Sequence, residues 1–170
     1  MLPMLAAGNR LVVIAKKKGP APRPVRVGEL WRRMIAKFLL HKCSAQVKQR
    51  MLEANQFGVA LPGGAEVLIH TRSLLEECIQ DDAAAGVWAV IDVDFVNAFP
   101  SFEHDAIDAA MAKHVPELQA WSKWCQVHTG DIHLPCGDSH RAHRGAEQGD
   151  PLGSLQCGAV LADVVTEATA

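Results

Sequence analysis

The hydrophobic pattern of the chain predicts several short strands between longer helices. Strands are expected where apolar and β-branched residues run together or alternate. Three places meet this condition: residues 10–15, an apolar run from residue 87 that ends in Asp92 and Asp94, and a β-hairpin that leaves through residues 129–135 and returns through residues 141–146.

Helices are expected where apolar residues recur at three- and four-residue spacing. Pro116 suits the first turn of one of them, because its fixed φ is compatible with a helix start. The predicted helices span residues 29–40, 44–53, 65–79, 103–114, 116–125 and 152–167.

The same periodicity predicts which helical faces are buried. In the first helix the apolar positions are expected to face the core and the basic positions to face solvent. The apolar set is Leu30, Met34, Ile35, Phe38 and Leu39, and the basic set is Arg32, Arg33 and Lys37. In the third helix the expected core positions are Val67, Leu68, Leu74, Leu75, Cys78 and Ile79.

These elements together predict an α+β fold in which helices pack on a small antiparallel sheet. With 170 residues, 49% hydrophobic and 21% charged, the composition is that of a soluble globular chain with one core. No apolar run approaches membrane length, and Arg10 interrupts the apolar part of the N-terminal segment. An intracellular protein with neither a secretory signal nor membrane contact is therefore expected.

Charge is divided unevenly along the chain. The net charge is −2, but residues 1–80 carry 13 Lys and Arg against 5 Glu (+8), whereas residues 81–170 carry 4 against 14 acids (−10). Such a division points either to nucleic-acid contact by the basic part or to two solvated faces of opposite sign. A basic turn over residues 16–24 includes Lys17 and Arg23, which suit phosphate contact if they are not simply solvated.

Asp92 and Asp94 end the second apolar run and present negative charge where a cation could bind. The alternative is that they only form a turn, with Ser101 as the cap of the next helix. Other potential ligands, Cys136, His140 and His143, surround the predicted hairpin. Their CxxxHxxH spacing is not that of a standard zinc site, so a solvent-exposed hairpin is the preferred interpretation.

Three motifs follow one another along the chain: a basic strand and turn ending in RPV, an acidic segment with DFVNAF, and a helix opened by QGDPLGS. Together they resemble the fingers and palm of a reverse transcriptase, an RNA-directed DNA polymerase of the retrotransposon and group II intron type. The resemblance extends from about residue 11 to residue 162. It implies basic fingers in residues 1–85 and a partial palm in residues 86–170.

The resemblance implies roles for the residues of the acidic segment. Asp94 and the carbonyl of Phe95 would bind the two Mg²⁺ ions that promote nucleotidyl transfer in this family. Phe99 would lie where a ribonucleotide carries its 2′-hydroxyl, so that its ring would favour deoxynucleotides.

Further roles are implied for the helix opening and the basic turn. Gln148 and Gly149 would meet the incoming nucleotide and the template strand. Lys17 and Arg23 match residues that contact the triphosphate, whose developing charge needs cations. The implied partners are an RNA template, a DNA primer and a dNTP.

The chain also departs from the family pattern. An aromatic-x-Asp-Asp motif is expected after the QGDPLGS helix, and neither Asp81 with Asp82 nor Asp163 replaces it. One carboxylate would hold two Mg²⁺ ions poorly, so a fragment without the rest of the palm and the thumb is expected to be inactive alone. Pro100 and Glu147 are smaller departures that could alter the local turns.

Two alternatives remain open at this stage. One is a non-catalytic nucleic-acid-binding remnant that keeps the basic fingers and binds in a salt-sensitive, Mg²⁺-independent manner. The other is a fragment that cannot fold properly and has no role. Apolar surface left exposed where further strands should pack would be its signature.

Overall fold

The computed structural model describes residues 9–14, 23–81, 91–128, 131–133 and 136–169. Within these ranges the chain has an α+β architecture that combines a small sheet with helices. Lys17 and the apolar run over residues 87–90 lie outside the described residues.

Four short strands form one mixed sheet. The bounds are β1 (Asn9–Ile14), β2 (Arg23–Gly28), β3 (Asp131–His133) and β4 (Ser139–Arg141). β1 pairs antiparallel with β2, and β3 pairs antiparallel with β4, which confirms the first predicted strand and the existence of the predicted hairpin. The return strand overlaps the predicted residues 141–146 only at Arg141, because pairing with β3 already begins at Ser139. β1 and β3 run parallel, so the sheet is not wholly antiparallel as expected. The long helical connection between the two hairpins makes this parallel pairing possible.

All six predicted helices are confirmed, and one short helix is additional. In chain order they are α1 (Leu30–Lys42), α2 (Ser44–Glu53), α3 (Gly64–Asp81), α4 (Ala98–Ser101), α5 (His104–His114), α6 (Pro116–Val127) and α7 (Gly153–Thr169). Pro116 lies in the first turn of α6, as predicted. None of the described helices combines the length and the apolarity needed to cross a bilayer.

The hydrophobic core lies where α5, α6 and α7 meet the inner faces of α1 and α2. Side chains without solvent contact come from all five helices and include Ala36, Met51, Met111, Leu118 and Leu155. Burying each large apolar side chain stabilises the fold by about 1.5–3 kcal/mol. This packing holds the start of α7 at a defined position.

The orientation of α1 differs from the prediction. Arg32 is buried, with 4% of its surface exposed, and Ala36 lies on the same inner face. Leu39 is half-buried against the core, as expected. Four of the five apolar side chains expected inside are instead 39–63% exposed; they are Leu30, Met34, Ile35 and Phe38. The reason is electrostatic: two buried carboxylates from the start of α7 bind the guanidinium group of Arg32.

The expected core face of α3 is also exposed. Val67, Leu68, Leu74 and Leu75 have between 44% and 61% of their surfaces in solvent. Cys78 is exposed, and only Ile79 is half-buried. The helix itself is confirmed, but the described part of the chain leaves its apolar face largely uncovered. Periodicity indicates that a face is apolar, and it does not identify what packs there.

The predicted acidic strand does not extend through Asp94. Residues 91–95 belong to no helix or strand, and Ile91 is 81% exposed. Asp92 is held by Arg72 of α3 at 3.0 Å instead of by a strand partner. Ser101 does not cap α5, because its hydroxyl donates a hydrogen bond to the carbonyl of Asn97.

Two surface carboxylates make the fold sensitive to acid. The hydrogen bond from Lys123 Nζ, 2.6 Å away, and one from Gln119 hold the pKa of Asp108 below its ordinary value of 3.8. The hydrogen bond from Arg50 lowers the pKa of Glu117 from 4.5 in the same way. Because the folded-state pKa values are the lower ones, both carboxylates stabilise the fold above the unfolded values. That contribution is lost as pH falls through the folded values.

We therefore expect the free energy of unfolding to decrease as the pH falls below 4.5, and Asp108→Asn to flatten this decrease. Urea titrations at a series of acidic pH values measure the effect. Glu77→Gln, at an exposed position of α3, is the matched control. An unchanged pH dependence in Asp108→Asn would contradict the prediction.

Candidate functional site

The loop over residues 145–153, which opens α7, contacts both of the other segments that carry sequence motifs. The amide of Ala146 donates a 2.7 Å hydrogen bond to the carbonyl of Phe99. The amide of Gly149 donates a 3.1 Å hydrogen bond to the carbonyl of Arg26 in β2. Segments that are far apart in the sequence therefore meet by backbone contact at this loop.

Two glycines permit these close approaches. A Cβ at Gly145 would lie 2.6 Å from Cα of Pro100, and φ at Gly145 is +93°. A Cβ at Gly149 would lie 2.3 Å from the carbonyl oxygen of Arg26. Because both neighbours are backbone atoms, neither can move away without displacing its segment.

Gly149→Ala is therefore expected to lower the free energy of unfolding by about 1–3 kcal/mol, since the added methyl group must separate the loop from β2. Chemical denaturation measures the change. Gly58→Ala is the matched control, because no atom lies within 4 Å of a Cβ built there. Equal stability of the two variants would show that a methyl group at residue 149 does not clash with the backbone of β2.

Two carboxylates of the loop, Glu147 and Asp150, form a largely buried ion cluster with Arg26 of β2 and Arg32 of α1. Nη2 of Arg32 lies 3.0 Å from Oε1 of Glu147, and its Nε lies 2.8 Å from Oδ2 of Asp150. Nη2 of Arg26 lies 3.0 Å from the same Oε1 of Glu147. Two cations and two anions balance in charge, which offsets part of the desolvation cost of burying them.

Burial also shifts the titration of groups at the cluster. It raises the pKa of Glu147, although the guanidinium groups of Arg32 and Arg26 act in the opposite direction. Burial lowers the pKa of His104, and the nearby charge of Arg26 lowers it further. The site therefore has little access to water, and its interactions are stronger than those of surface pairs.

The cluster and the start of α7 together define a tight turn. Asp150 accepts a 2.8 Å hydrogen bond from the amide of Leu152 through Oδ1, which forms a turn that leads into α7. The amide of Asp150 donates a 3.0 Å hydrogen bond to the carbonyl of Glu147. Gln148 and Gly149 occupy the centre of this turn, where Gln148 is exposed.

The remaining predicted residues of this region lie beside the loop. Phe99 is half-buried in α4 and packs against the hydrophobic core. One of its ring atoms lies 3.5 Å from a Cβ built on Gly153. The structure thus brings Phe99 and the Gln148–Gly149 turn to the same region.

The predicted metal ligands are not assembled in the same way. Asp94 and Phe95 are exposed in the irregular stretch over residues 91–95. The carboxylate of Asp92 forms an ion pair with Arg72. Within the described ranges, no three His, Cys, Asp or Glu side chains are grouped so that they could hold a metal ion. The assignment of Asp94 and the Phe95 carbonyl as Mg²⁺ ligands therefore stays a prediction.

The remaining residues predicted from the sequence belong to the basic turn and to the hairpin. Lys17 lies outside the described ranges. Arg23 was expected in the basic turn but is the first residue of β2, because its backbone pairs with Ile14 of β1. Near the β3–β4 hairpin, Sγ of Cys136 contacts Oδ2 of Asp138 at 3.4 Å. His140 and His143 are exposed, as the hairpin interpretation expected.

Much of the opposite charge of the two halves is paired internally. Besides the buried cluster, Arg50 pairs with Glu117 at 2.6 Å, and Arg72 pairs with Asp92 at 3.0 Å. Each of these arginines comes from the basic half and each acid from the acidic half. Part of the charge division therefore serves contacts within the chain.

The sequence analysis did not identify Arg32 and Asp150 as site residues, and it treated Glu147 only as a departure from a family pattern. One signal in the sequence is that Arg32 lies at helical spacing from Ala36 and Cys43. This spacing places Arg32 on the same face as the buried positions of the helix. Another was the presence of acids on both sides of Gln148 and Gly149.

Comparison with known proteins adds no assignment to this geometry. No protein-family model matches the sequence. No curated protein matches it at a significant level. A functional conclusion therefore depends on the motifs and on their arrangement.

Proposed function

We propose that this chain is the fingers and partial palm of an RNA-directed DNA polymerase, which in a complete protein transfers nucleotides to a DNA primer on an RNA template. The observation that supports the proposal is the convergence of three motifs. The loop of the QGDPLGS motif bonds to β2 through Gly149 and to the DFVNAF motif through Ala146. A polymerase needs these segments together because nucleotide, template and primer meet at one point.

The turn supplies the part of the proposed site that is best defined. Gln148 is exposed to solvent, and the absence of a side chain at Gly149 lets the turn lie directly against the backbone of β2. Both would contact the incoming dNTP and the template strand. Phe99 would act beside them as the residue that disfavours a ribonucleotide, with its ring supported by core packing.

Magnesium belongs to the proposal only for the complete protein. Asp94 is the carboxylate that would contribute to a two-metal site there, together with the carbonyl of Phe95. Among the described residues, no group of three or more His, Cys, Asp or Glu side chains could hold a metal ion. We therefore assign no chemical step to a metal in this chain and expect it to be inactive alone.

Exposed apolar surface supports the view that further protein completes the site. Such side chains are found on α1, on α3 and along residues 91–96. Single exposed apolar residues are common, but contiguous patches generally mark contacts with other protein. The same surface is the signature expected for a fragment without function, so only an activity measurement separates these two possibilities.

Primer extension tests the proposal. The chain is joined to a segment that carries the aromatic-x-Asp-Asp motif, and extension of a DNA primer on an RNA template is measured. We expect Asp94→Ala to abolish extension and Asp92→Ala, at the neighbouring acid paired with Arg72, to retain it. Extension that is unchanged by Asp94→Ala would contradict the polymerase assignment.

A non-catalytic nucleic-acid-binding function is the second candidate. The exposed outer surface of α1 favours it, because Lys37 and Lys42 lie among exposed Trp31 and Phe38. Nζ of Lys42 lies 5.6 Å from the ring centre of Phe38. Such a surface suits single-stranded nucleic acid, because the cations contact its phosphates and the aromatic rings stack on its bases.

A salt series of filter-binding measurements tests this candidate. Affinity for single-stranded RNA should fall as salt rises, because bound phosphates release counterions. Lys17→Ala, Arg23→Ala and Lys42→Ala should weaken binding, and Asp94→Ala should leave it unchanged, with or without Mg²⁺. Binding that does not respond to salt would reject the candidate.

A further inference from the structure

We infer that Arg32 is a positioning residue, which orients the Gln148–Gly149 turn by holding the carboxylates on both sides of it. The inference rests on the proposed function only for the ligand, a nucleotide paired with a template strand. The geometry of the turn stands independently of that function.

One guanidinium group holds both ends of the turn. Nη2 of Arg32 binds Glu147, the residue before Gln148, and Nε binds Asp150, the residue after Gly149. The contact with Asp150 is a hydrogen bond of defined direction, and the contact with Glu147 is an ion pair at 3.0 Å; the planar guanidinium group keeps the two at a fixed spacing. The separation and the relative angle of the two ends of the turn are thereby set from α1.

Arg26 supplies a second point of attachment from β2. Its side chain binds the same oxygen of Glu147, and its carbonyl accepts the hydrogen bond of Gly149. Three of the four turn residues are thus held by buried or backbone contacts. Gln148 alone presents an exposed side chain. The arrangement therefore fixes the backbone and leaves one polar group directed outward.

Stabilisation alone does not explain this choice of residues. Buried ion pairs stabilise a fold no more than apolar side chains of similar volume would, because desolvation opposes their attraction. What the charged groups add is contact at fixed positions, which includes the directional hydrogen bond from Arg32 to Asp150. A buried cluster that surrounds an exposed glutamine is suited to holding that glutamine in one position.

Arg32→Lys in the full chain separates orientation from stability. Lysine retains the positive charge, but its single ammonium group cannot reproduce the fork that spans both carboxylates. We expect hydrogen exchange of the Gly149 amide, followed by NMR, to accelerate about tenfold because the turn opens locally. Exchange of the Leu118 amide in the core should remain unchanged. Arg50→Lys, at an exposed ion pair, is the matched control and should affect neither amide.

Two exchange results would overturn the inference. Unchanged protection of Gly149 in Arg32→Lys would show that the fork does not hold the turn. Equal acceleration at Gly149 and Leu118 would show that Arg32 only stabilises the whole fold. Glu147→Gln provides a second variant, since it removes one charge at nearly constant volume and should again accelerate Gly149 selectively.

Binding of an RNA–DNA primer–template duplex provides the functional readout. The unaltered chain tests the proposed function, and a failure to bind contradicts that function while the exchange result still decides the positioning role. For a chain that binds, Arg32→Lys should weaken binding about fivefold, because a turn that is no longer held by the guanidinium group must be ordered when the ligand binds. Full affinity in Arg32→Lys would overturn the inference.

Discussion

Arg32→Met is expected to lower the free energy of unfolding by about 3–5 kcal/mol, since it leaves buried carboxylates without their main partner. Asp150 loses its bond to Nε, and Glu147 keeps only Arg26. Methionine fills a similar volume, so the effect comes from charge and hydrogen bonding and not from a cavity. Chemical denaturation followed by circular dichroism measures the change.

Arg50→Met is the matched control for this prediction. It also removes an arginine from an ion pair, with Glu117, but both side chains are about one-third exposed. Water replaces the lost contact there, so the effect should be much smaller than that of Arg32→Met. Similar losses of stability in the two variants would mean that the cluster around Glu147 is solvated.

Leu118→Ala is expected to lower the free energy of unfolding by about 2–5 kcal/mol, whereas Leu75→Ala should change it by about 0.5 kcal/mol or less. Leu118 has no exposed surface, and truncation leaves a cavity among α5, α6 and α7. Leu75 is 54% exposed on α3, so the truncated side chain is largely replaced by solvent. The same denaturation measurements compare the two leucines.

This pair of variants also tests the architecture. The hydrophobic pattern alone gives Leu75 a core position, and the structure places it at the surface. If Leu75→Ala proved as costly as Leu118→Ala, the outer face of α3 would be covered in solution. Such a result would favour association through this face.

The exposed apolar faces of α1 and α3 are relevant to the proposed polymerase domain. A domain that works within a larger protein has faces that pack against its other parts, and these faces are apolar. Trp31 on α1 and Leu74 on α3 are examples, each about 60% exposed. In this interpretation the described residues form a well-packed core, and the apolar outer faces of α1 and α3 are available for contacts with other parts of the protein.

Several features of the fold could be predicted from the sequence because their causes are local. The helix that starts at Pro116 follows from the fixed φ of proline and from the spacing of Leu118 and Cys125. The β3–β4 hairpin follows from weak alternation on either side of Gly137, where φ is positive. In each case the signal lies within a few residues of the element that it predicts.

The candidate site was predicted only in part, for an identifiable reason. Gln148, Gly149 and Phe99 belong to recognisable motifs, and the structure brings their segments together. The partner of Asp150 could not be predicted from nearby sequence, because Arg32 is 118 residues away. The strand expected through Asp94 failed similarly, since a strand needs a partner and apolar residues alone do not provide one.

The sequence by itself determined the positions of the helices and of the β1 strand and the existence of the β3–β4 hairpin, because periodicity, proline and glycine act over short distances. The tertiary structure alone decided that Arg32 points inward and that the apolar side chains of α1 point outward. It did so because buried Glu147 and Asp150 require a cation, and that requirement outweighs the local preference of an amphipathic helix.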